Sequence, residues 1–166
     1  ELLLSGNALL LNLFDSVCAY YYALMRLPDK IPQTFRQHNL TEVHYLRPAF
    51  PMMKLIENQV FLAQNSCIDV LGQVDSLLAL CRQFHYKLCE IHVLIQAAGA
   101  SNALQYYTEA ENYLKTALKL AEPDHLLVPF CENYYYIKEL LGNSEFEQNI
   151  RRLSVVFEKN RNHLAS

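Results

Sequence analysis

Four residues with metal-binding side chains follow one another at spacings of four, four and three: Cys81, His85, Cys89 and His92. Thiolate and imidazole are ligands that zinc prefers in structural sites. On one continuous helix the four would form a stripe about 16 Å long, whereas a tetrahedral site holds every ligand within about 2.3 Å of the ion. A turn near 84–87 could fold the stripe back on itself, which leaves zinc as an alternative. The interpretation we adopt is buried cysteines and histidines at a hairpin turn, with no metal and no cofactor.

Residue types used in nucleophilic and acid–base catalysis occur, but not in catalytic patterns. No nucleophile presented on a sharp turn can be placed. Glu109 and Glu111 lie on different faces of one predicted helix, so they cannot act as a catalytic pair. Glu145 and Glu147 are explained by the favourable field at a helix start. The sequence therefore predicts no enzymatic activity.

The composition indicates a folded, helical, cytoplasmic protein. Of the 166 residues, 52% are hydrophobic, and four glycines and six prolines are too few for the turns of a sandwich or barrel. A net charge of −3 with dispersed Lys and Arg offers no basic surface for nucleic acid. The five cysteines show no disulfide framework and are predicted to be reduced thiols.

The most apolar stretch is 2–14, LLLSGNALLLNLF, whose composition is close to that of a membrane segment or signal peptide. Polar residues interrupt it and no basic leader precedes it, so it predicts a core helix and no membrane partner. The chain begins with Glu1 rather than Met, and we therefore expect a fragment of a larger protein.

Capping boxes mark the helix starts. In such a box two side chains three residues apart satisfy free backbone donors at each other's position, as the spacing of Ser144 and Glu147 predicts. The same spacing recurs from Ser66 and from Asn102, each after a polar or glycine-bearing break. Positions 66, 102 and 144 are 36 and 42 residues apart, which is typical of helix-pair repeats.

These signals predict an all-α fold: a right-handed, tetratricopeptide-like solenoid of helical hairpins, with about seven to eight helices in one domain. The N-terminal part, 1–48, would hold a long helix at 3–26, a short helix at 32–37 and an irregular crossing segment at 38–48. Three hairpin units follow at 49–84, 86–121 and 127–164. Their first helices are predicted at 49–63, 87–98 and 127–141, and their second helices at 67–84, 103–121 and 145–163.

Three consecutive tyrosines, Tyr134–Tyr136, lie in the last of these first helices. At about 100° per residue they spread over roughly 200° of the helix circumference, too wide for one buried stripe. A first helix that contacts both its partner and the preceding unit needs such a girdle. In the neighbouring unit, Ala110 and Ala117 would let helices approach closely.

First helices line the inner groove of such solenoids, and that groove is where a ligand is expected. The predicted ligand-facing positions are Glu57, His92 and Asn133.

Three segments carry a resemblance to a known family: DKIPQTFRQHNL (29–40), EIHVLIQAAGA (90–100) and YTEAENYLKTALKLAEPDHLLVPFCENYYYIKELL (107–141). They resemble the superhelical domain of MalT-like, ATP-dependent bacterial transcription regulators of the LuxR group, over most of 28–141. The resemblance implies a nucleotide-binding switch before this segment and a DNA-binding helix-turn-helix after it. The chain has neither a G-x-x-x-x-G-K-[ST] loop nor a basic recognition helix, so DNA would be reached only through a domain outside it.

Two functions from different classes stay open. The resemblance implies a sensor whose groove recognises a small inducer or a regulatory protein and whose occupancy changes self-association. The alternative is a constitutive tetratricopeptide-like scaffold that holds a peptide of a partner protein. A plain spacer between a switch and a DNA-binding module is a third interpretation.

Overall fold

The computed structural model describes residues 2–38 and 49–165, with side chains over 9–38 and 49–159. Within these ranges all regular secondary structure is helical, which confirms the predicted all-α class. The solenoid and its right-handed superhelix stay predictions. The α-helices are α1 (Leu2–Leu24), α2 (Gln33–Arg36), α3 (Phe50–Ala63), α4 (Cys67–Gln83), α5 (Lys87–Ala103), α6 (Tyr107–Ala121), α7 (Val128–Glu132), α8 (Tyr134–Ile137) and α9 (Glu145–Ala165), and short 3-10 turns lie at Pro28–Lys30 and Glu122–Asp124.

The chain divides into two compact units, Glu1–Ser66 and Cys67–Ser166. Helices α1–α3 belong to the first unit and α4–α9 to the second. The hairpin predicted at 49–84 therefore has one helix in each unit. The irregular segment predicted at 38–48 lies, apart from His38, outside the described residues.

In the first unit α1 packs against α3, with α2 contacting both. One side of α1 is buried, and the short segment after it is anchored by Ile31 and Phe35, at 2% and 1% exposure. The apolar core of this unit comprises Ala19, Ala23, Ile31, Phe35, Met53, Ile56 and Val60.

Helix α5 is the centre of the second unit. It packs against α4, α6, α7 and α8, and every residue from Ile91 to Ser101 is buried. A helix surrounded on all sides needs mostly apolar or small side chains around its whole circumference, which is why Val93, Ile95 and Ala98 are buried although they point in different directions. The buried polar residues of this stretch are His92, Gln96 and Ser101.

Helix α6 covers α5 with a single narrow stripe. Its buried residues are spaced by four, three and four: Ala110, Leu114, Ala117 and Ala121. Because three of the four are alanines, the two backbones can approach closely, as predicted for Ala110 and Ala117. The rest of α6 is largely exposed and carries its charges.

Five turns share one geometry at a helix C-terminus. In each, a non-glycine residue adopts a left-handed conformation with φ between 51° and 60° or, for Gln105, 65°. The amide after it donates to a carbonyl five residues earlier, as in a Schellman motif, for example Tyr106 N–H to Ser101 O at 2.9 Å. The left-handed residues are Arg26, Asn65, His85, Gln105 and His125.

The last four of these turns recur every twenty residues, at 65, 85, 105 and 125. Helices α4, α5 and α6 correspondingly begin at Cys67, Lys87 and Tyr107. A hairpin of two such helices has a period of forty residues, which replaces the unequal 36 and 42 inferred from capping signals.

Two of the predicted helix boundaries are wrong. The break expected at Gly99–Ser101 does not occur, because α5 continues to Ala103 and α6 begins only at Tyr107. Asn102 is therefore not a cap. Its side-chain amide instead donates to Tyr136 O at 3.5 Å, which ties α5 to α8.

The helix predicted at 127–141 is also interrupted. It is split at Asn133 into α7 and α8 and ends at Ile137. The capping box at the start of α9, by contrast, is confirmed: Glu147 N–H donates to Ser144 Oγ at 3.3 Å, and Ser144 N–H donates to Glu147 Oε2 at 3.0 Å.

Substitution of Gly99 by Ala should destabilise the fold by about 1–3 kcal/mol, since overpacking forces neighbours apart. An added Cβ would lie 2.7 Å from Cβ of Tyr136. Gly72→Ala is the matched control, because no atom lies within 4 Å of its added Cβ, and it should stabilise α4 by roughly 0.5–1 kcal/mol. Urea unfolding measures both, and a shift of the same sign in both variants would contradict close α5–α8 packing.

Substitution of Gln105 by Gly should stabilise the fold by roughly 0.5–1 kcal/mol, because a left-handed conformation strains a residue with a Cβ. Gln105 is exposed at the α5–α6 turn, so little packing is lost. Gln105→Ala keeps the Cβ and should give no gain. Chemical denaturation compares the three proteins, and equal midpoints for the Gly and Ala variants would contradict the turn geometry.

Candidate functional site

The predicted metal-binding stripe is folded back by the α4–α5 turn, as the zinc alternative requires. Cys81 lies in α4, His85 in the turn, and Cys89 and His92 in α5. Among the described residues, however, no group of three or more His, Cys, Asp or Glu side chains is arranged to hold a metal ion.

The thiols near this turn have raised pKa values. Burial, followed by the nearby Cys89 and Glu90, raises the pKa of Cys81 to about 11. Burial also raises the pKa of Cys67, Cys89 and Cys131. Since the thiolate is the form that attacks or binds a metal, these cysteines are protonated packing residues at neutral pH.

The three predicted ligand-facing residues are all buried. Glu57 lies on α3 in the first unit, 4% exposed, and accepts from Lys54 Nζ at 2.6 Å. His92 and Asn133 lie in the second unit, 8% and 0% exposed. Two of the three thus share a unit, where they lie on α5 and at the α7–α8 break.

Sequence reasoning missed Glu132, which lies near His92 in space and next to Asn133 in the sequence. His92 Nε2 lies 3.9 Å from Glu132 Oε2, beyond hydrogen-bond distance, and Glu132 directly precedes Asn133. We call His92, Glu132 and Asn133 the α5–α7 polar cluster. No sequence pattern marks Glu132, since its approach to His92 depends on how α7 packs on α5.

Burial lowers the pKa of His92 to about 4, so its imidazole is neutral at pH 7. Glu132 is too far to compensate with a hydrogen bond, and its side chain is itself only 19% exposed. His92 Nδ1 is buried and has no hydrogen-bond partner within the described part of the chain. A buried polar atom of this kind costs about 1–3 kcal/mol.

The break between α7 and α8 lies at Asn133, whose side chain replaces a backbone hydrogen bond that is missing there. Its backbone N–H donates to Cys131 O rather than to Pro129 O, and its side-chain Nδ2 donates to Pro129 O at 3.0 Å instead. Its Oδ1 is buried without a partner among the described residues. His92 Nδ1 and Asn133 Oδ1 are thus two buried polar atoms without a partner in the described part of the second unit, where Ser101 Oγ and Ser154 Oγ are further atoms of this kind.

A second feature was also missed: α1 exposes an apolar face. The stretch 2–14 is helical, but the prediction that it is a core helix is wrong for its described side chains, 9–14, none of which is buried. The buried residues of α1 are Ser16, Ala19 and Ala23, and large apolar side chains on the opposite face are open to solvent: Leu10, Leu11, Leu13, Phe14, Val17 and Tyr21. A stretch that is apolar all round does not reveal which face is buried.

Comparison with models of protein families, with curated proteins and with solved structures finds no match to this chain. The resemblance to MalT-like regulators thus stays a prediction. Across the described residues, no helix combines the length and the hydrophobicity of a membrane-spanning segment.

Lowering the pH from 7 to 5 should destabilise the protein through His92. Its pKa in the folded state is below the ordinary value of 6.5, so its contribution is complete above pH 6.5 and is lost as the pH falls toward 4. The full effect is on the order of 3 kcal/mol, of which about 2 kcal/mol is lost by pH 5. His92→Gln stays neutral throughout and should flatten the dependence of the melting temperature on pH.

His85→Asn is the control for this measurement, since His85 is exposed in the α4–α5 turn and Asn tolerates a left-handed conformation. The melting temperature of His85→Asn should depend on pH as that of the parent chain does. Parallel pH profiles for the parent and His92→Gln would show that His92 is not buried in its neutral form.

Proposed function

We propose that this chain is the effector-sensing and protein-interaction module of a cytoplasmic bacterial transcription regulator resembling MalT. Occupancy by a small inducer or a regulatory protein would change self-association of the full protein. DNA would be contacted only by a domain outside this chain, and the module itself would need no cofactor and carry out no reaction.

The observation that carries the proposal is the α5–α7 polar cluster. Buried polar atoms are normally paired, so each of the two unpaired atoms, His92 Nδ1 and Asn133 Oδ1, offers a ligand a hydrogen bond. A group that donates to Asn133 Oδ1 or bonds His92 Nδ1 would gain hydrogen bonds that the chain alone leaves unmade. The protonated thiols around α5 favour holding a ligand over attacking one.

The position of the cluster supports a switch rather than passive binding. Asn133 separates α7 from α8, and both of these short helices pack on α5. A ligand bound at the break would compete for the bond between Asn133 Nδ2 and Pro129 O. Binding energy that favours one arrangement of α7 and α8 shifts the population of that arrangement.

A specific observation favours the alternative, a constitutive scaffold for a peptide. At the α4–α5 turn Phe84 and Tyr86 are stacked with ring centroids 5.8 Å apart, and both are exposed together with Leu88. Exposed aromatic rings supply contact area at low entropic cost and are typical of protein-binding surfaces.

Thermal melting separates the two functions. A panel of metabolites and short oligosaccharides should contain a compound that raises the melting temperature by about 5–10 °C, since ligand at a hundred times its dissociation constant adds about 2.7 kcal/mol. His92→Gln should abolish that shift and Phe84→Ala should leave it intact.

The scaffold predicts the opposite pattern. Peptides selected from a random library should then bind the chain with affinity lost in Phe84→Ala and kept in His92→Gln, measured by fluorescence anisotropy. A panel with no melting shift, together with no selected peptide, would contradict both functions.

A further inference from the structure

The exposed face of α1 has the geometry of a seam between two helices. Leu10, Phe14, Val17 and Tyr21 are 66%, 66%, 66% and 43% exposed and are spaced by four, three and four. At about 100° per residue they fall within roughly 60° of the circumference, a stripe with the period of a coiled-coil seam. We call these four residues the α1 stripe.

The stripe lies opposite the face that α1 uses for its own core. Ser16, Ala19 and Ala23 are buried at 4%, 0% and 0% exposure, on the far side of the helix. The packing of α1 on α3 therefore leaves the stripe uncovered. The side chains of α1 that form the core of the first unit are therefore different from those of the stripe.

The exposed area is larger than a monomer ordinarily leaves open. With the flanking Leu11 and Leu13, at 64% and 46% exposure, the apolar patch covers roughly 700 Å², against about 300–600 Å² for the largest patch of a typical monomer. It is close to the ~800 Å² that each partner contributes to a standard interface.

Its charge argues against a membrane surface or a charged partner. The only ionisable acid or base in the sequence of α1, apart from thiol and phenol groups, is Asp15, and α1 contains no Lys or Arg. Helices that lie in a lipid interface carry Lys and Arg along their polar face. A partner recognised by charge would find nothing complementary on the stripe.

The spacing suits a second copy of the same helix. The order four, three, four is the same in both directions, so an antiparallel α1 places Phe14 opposite Val17 of the other copy and Leu10 opposite Tyr21. Each pair joins a larger side chain to a smaller one, as close packing requires. A two-fold interface of this kind buries the same patch twice.

We propose that the α1 stripe is a self-association surface, on which α1 of a second copy packs antiparallel. The inference rests on the self-association in the proposed function and names its surface, but its test needs no effector. An effector assay that fails while dimerisation through α1 succeeds would overturn only the sensing function.

Sedimentation velocity on the 166-residue chain at up to about 100 µM should show a dimer. Val17→Glu should raise the dimer dissociation constant roughly 30-fold or more, because it places two like charges in the seam. Val155→Glu is a matched control on α9, since Val155 is 67% exposed and Val17 is 66% exposed, and it should leave dimerisation unchanged. Circular dichroism should show the same helix content in all three proteins.

A parent chain that is monomeric throughout this range, or a Val17→Glu variant that dimerises normally, would overturn the proposal. A lipid partner would also overturn it. In that case the monomeric parent chain would float with vesicles of phosphatidylcholine and phosphatidylglycerol, and the monomeric Val17→Glu variant would not.

Orientation can be tested with cysteine variants in a Cys18→Ser background. A mixture of Phe14→Cys and Val17→Cys chains, oxidised with copper phenanthroline, should give the mixed disulfide-linked dimer. Disulfides formed mainly between two chains of the same variant would overturn the antiparallel arrangement.

Discussion

The second unit depends on the complete burial of one helix. Because α5 contacts four other helices, its residues from Ile91 to Ser101 have no solvent face, and each neighbour is positioned by what α5 presents to it. Small residues set the distances between α5 and the helices around it. Gly99 admits Tyr136 of α8, and the alanines of α6 admit the backbone of α5. A helix of this kind gains the most from hydrophobic burial and has the least tolerance for added volume.

The same burial makes polar groups on α5 costly. His92 stays neutral because desolvation outweighs a carboxylate 3.9 Å away, and its Nδ1 has no partner among the described residues. A purely structural helix would be more stable with an apolar residue there. His92 lies on the helix against which α7 and α8 pack, and those two helices are separated at Asn133, whose Oδ1 is also buried without a partner among the described residues. These two unpartnered atoms are the physical basis of the proposed recognition site.

Sequence patterns predicted those features that depend on neighbouring residues. The capping box of Ser144 and Glu147, the start of α4 after Ser66 and the all-α class are of this kind. Gly99 was misread as a helix break, because glycine is also selected where two helices touch, and only the position of Tyr136 distinguishes the two. Glu132 and the exposed side of α1 could not be predicted, since an acid near a histidine and a face without a neighbour are properties of packing. The left-handed turns could not be predicted because none of their left-handed residues is glycine, the residue that usually marks such a turn in a sequence.

Those turns have a consequence for how such a chain can change length. Each twenty-residue segment begins and ends at an equivalent point of the same backbone turn, and two segments make one hairpin. A duplicated or deleted hairpin of forty residues would therefore rejoin its flanks without altering the phase or the direction of the neighbouring helices. A single-residue insertion, by contrast, would rotate the buried face of a helix by about 100°. This architecture can therefore gain or lose a whole hairpin without disturbing the rest, whereas it cannot tolerate short insertions or deletions inside its helices.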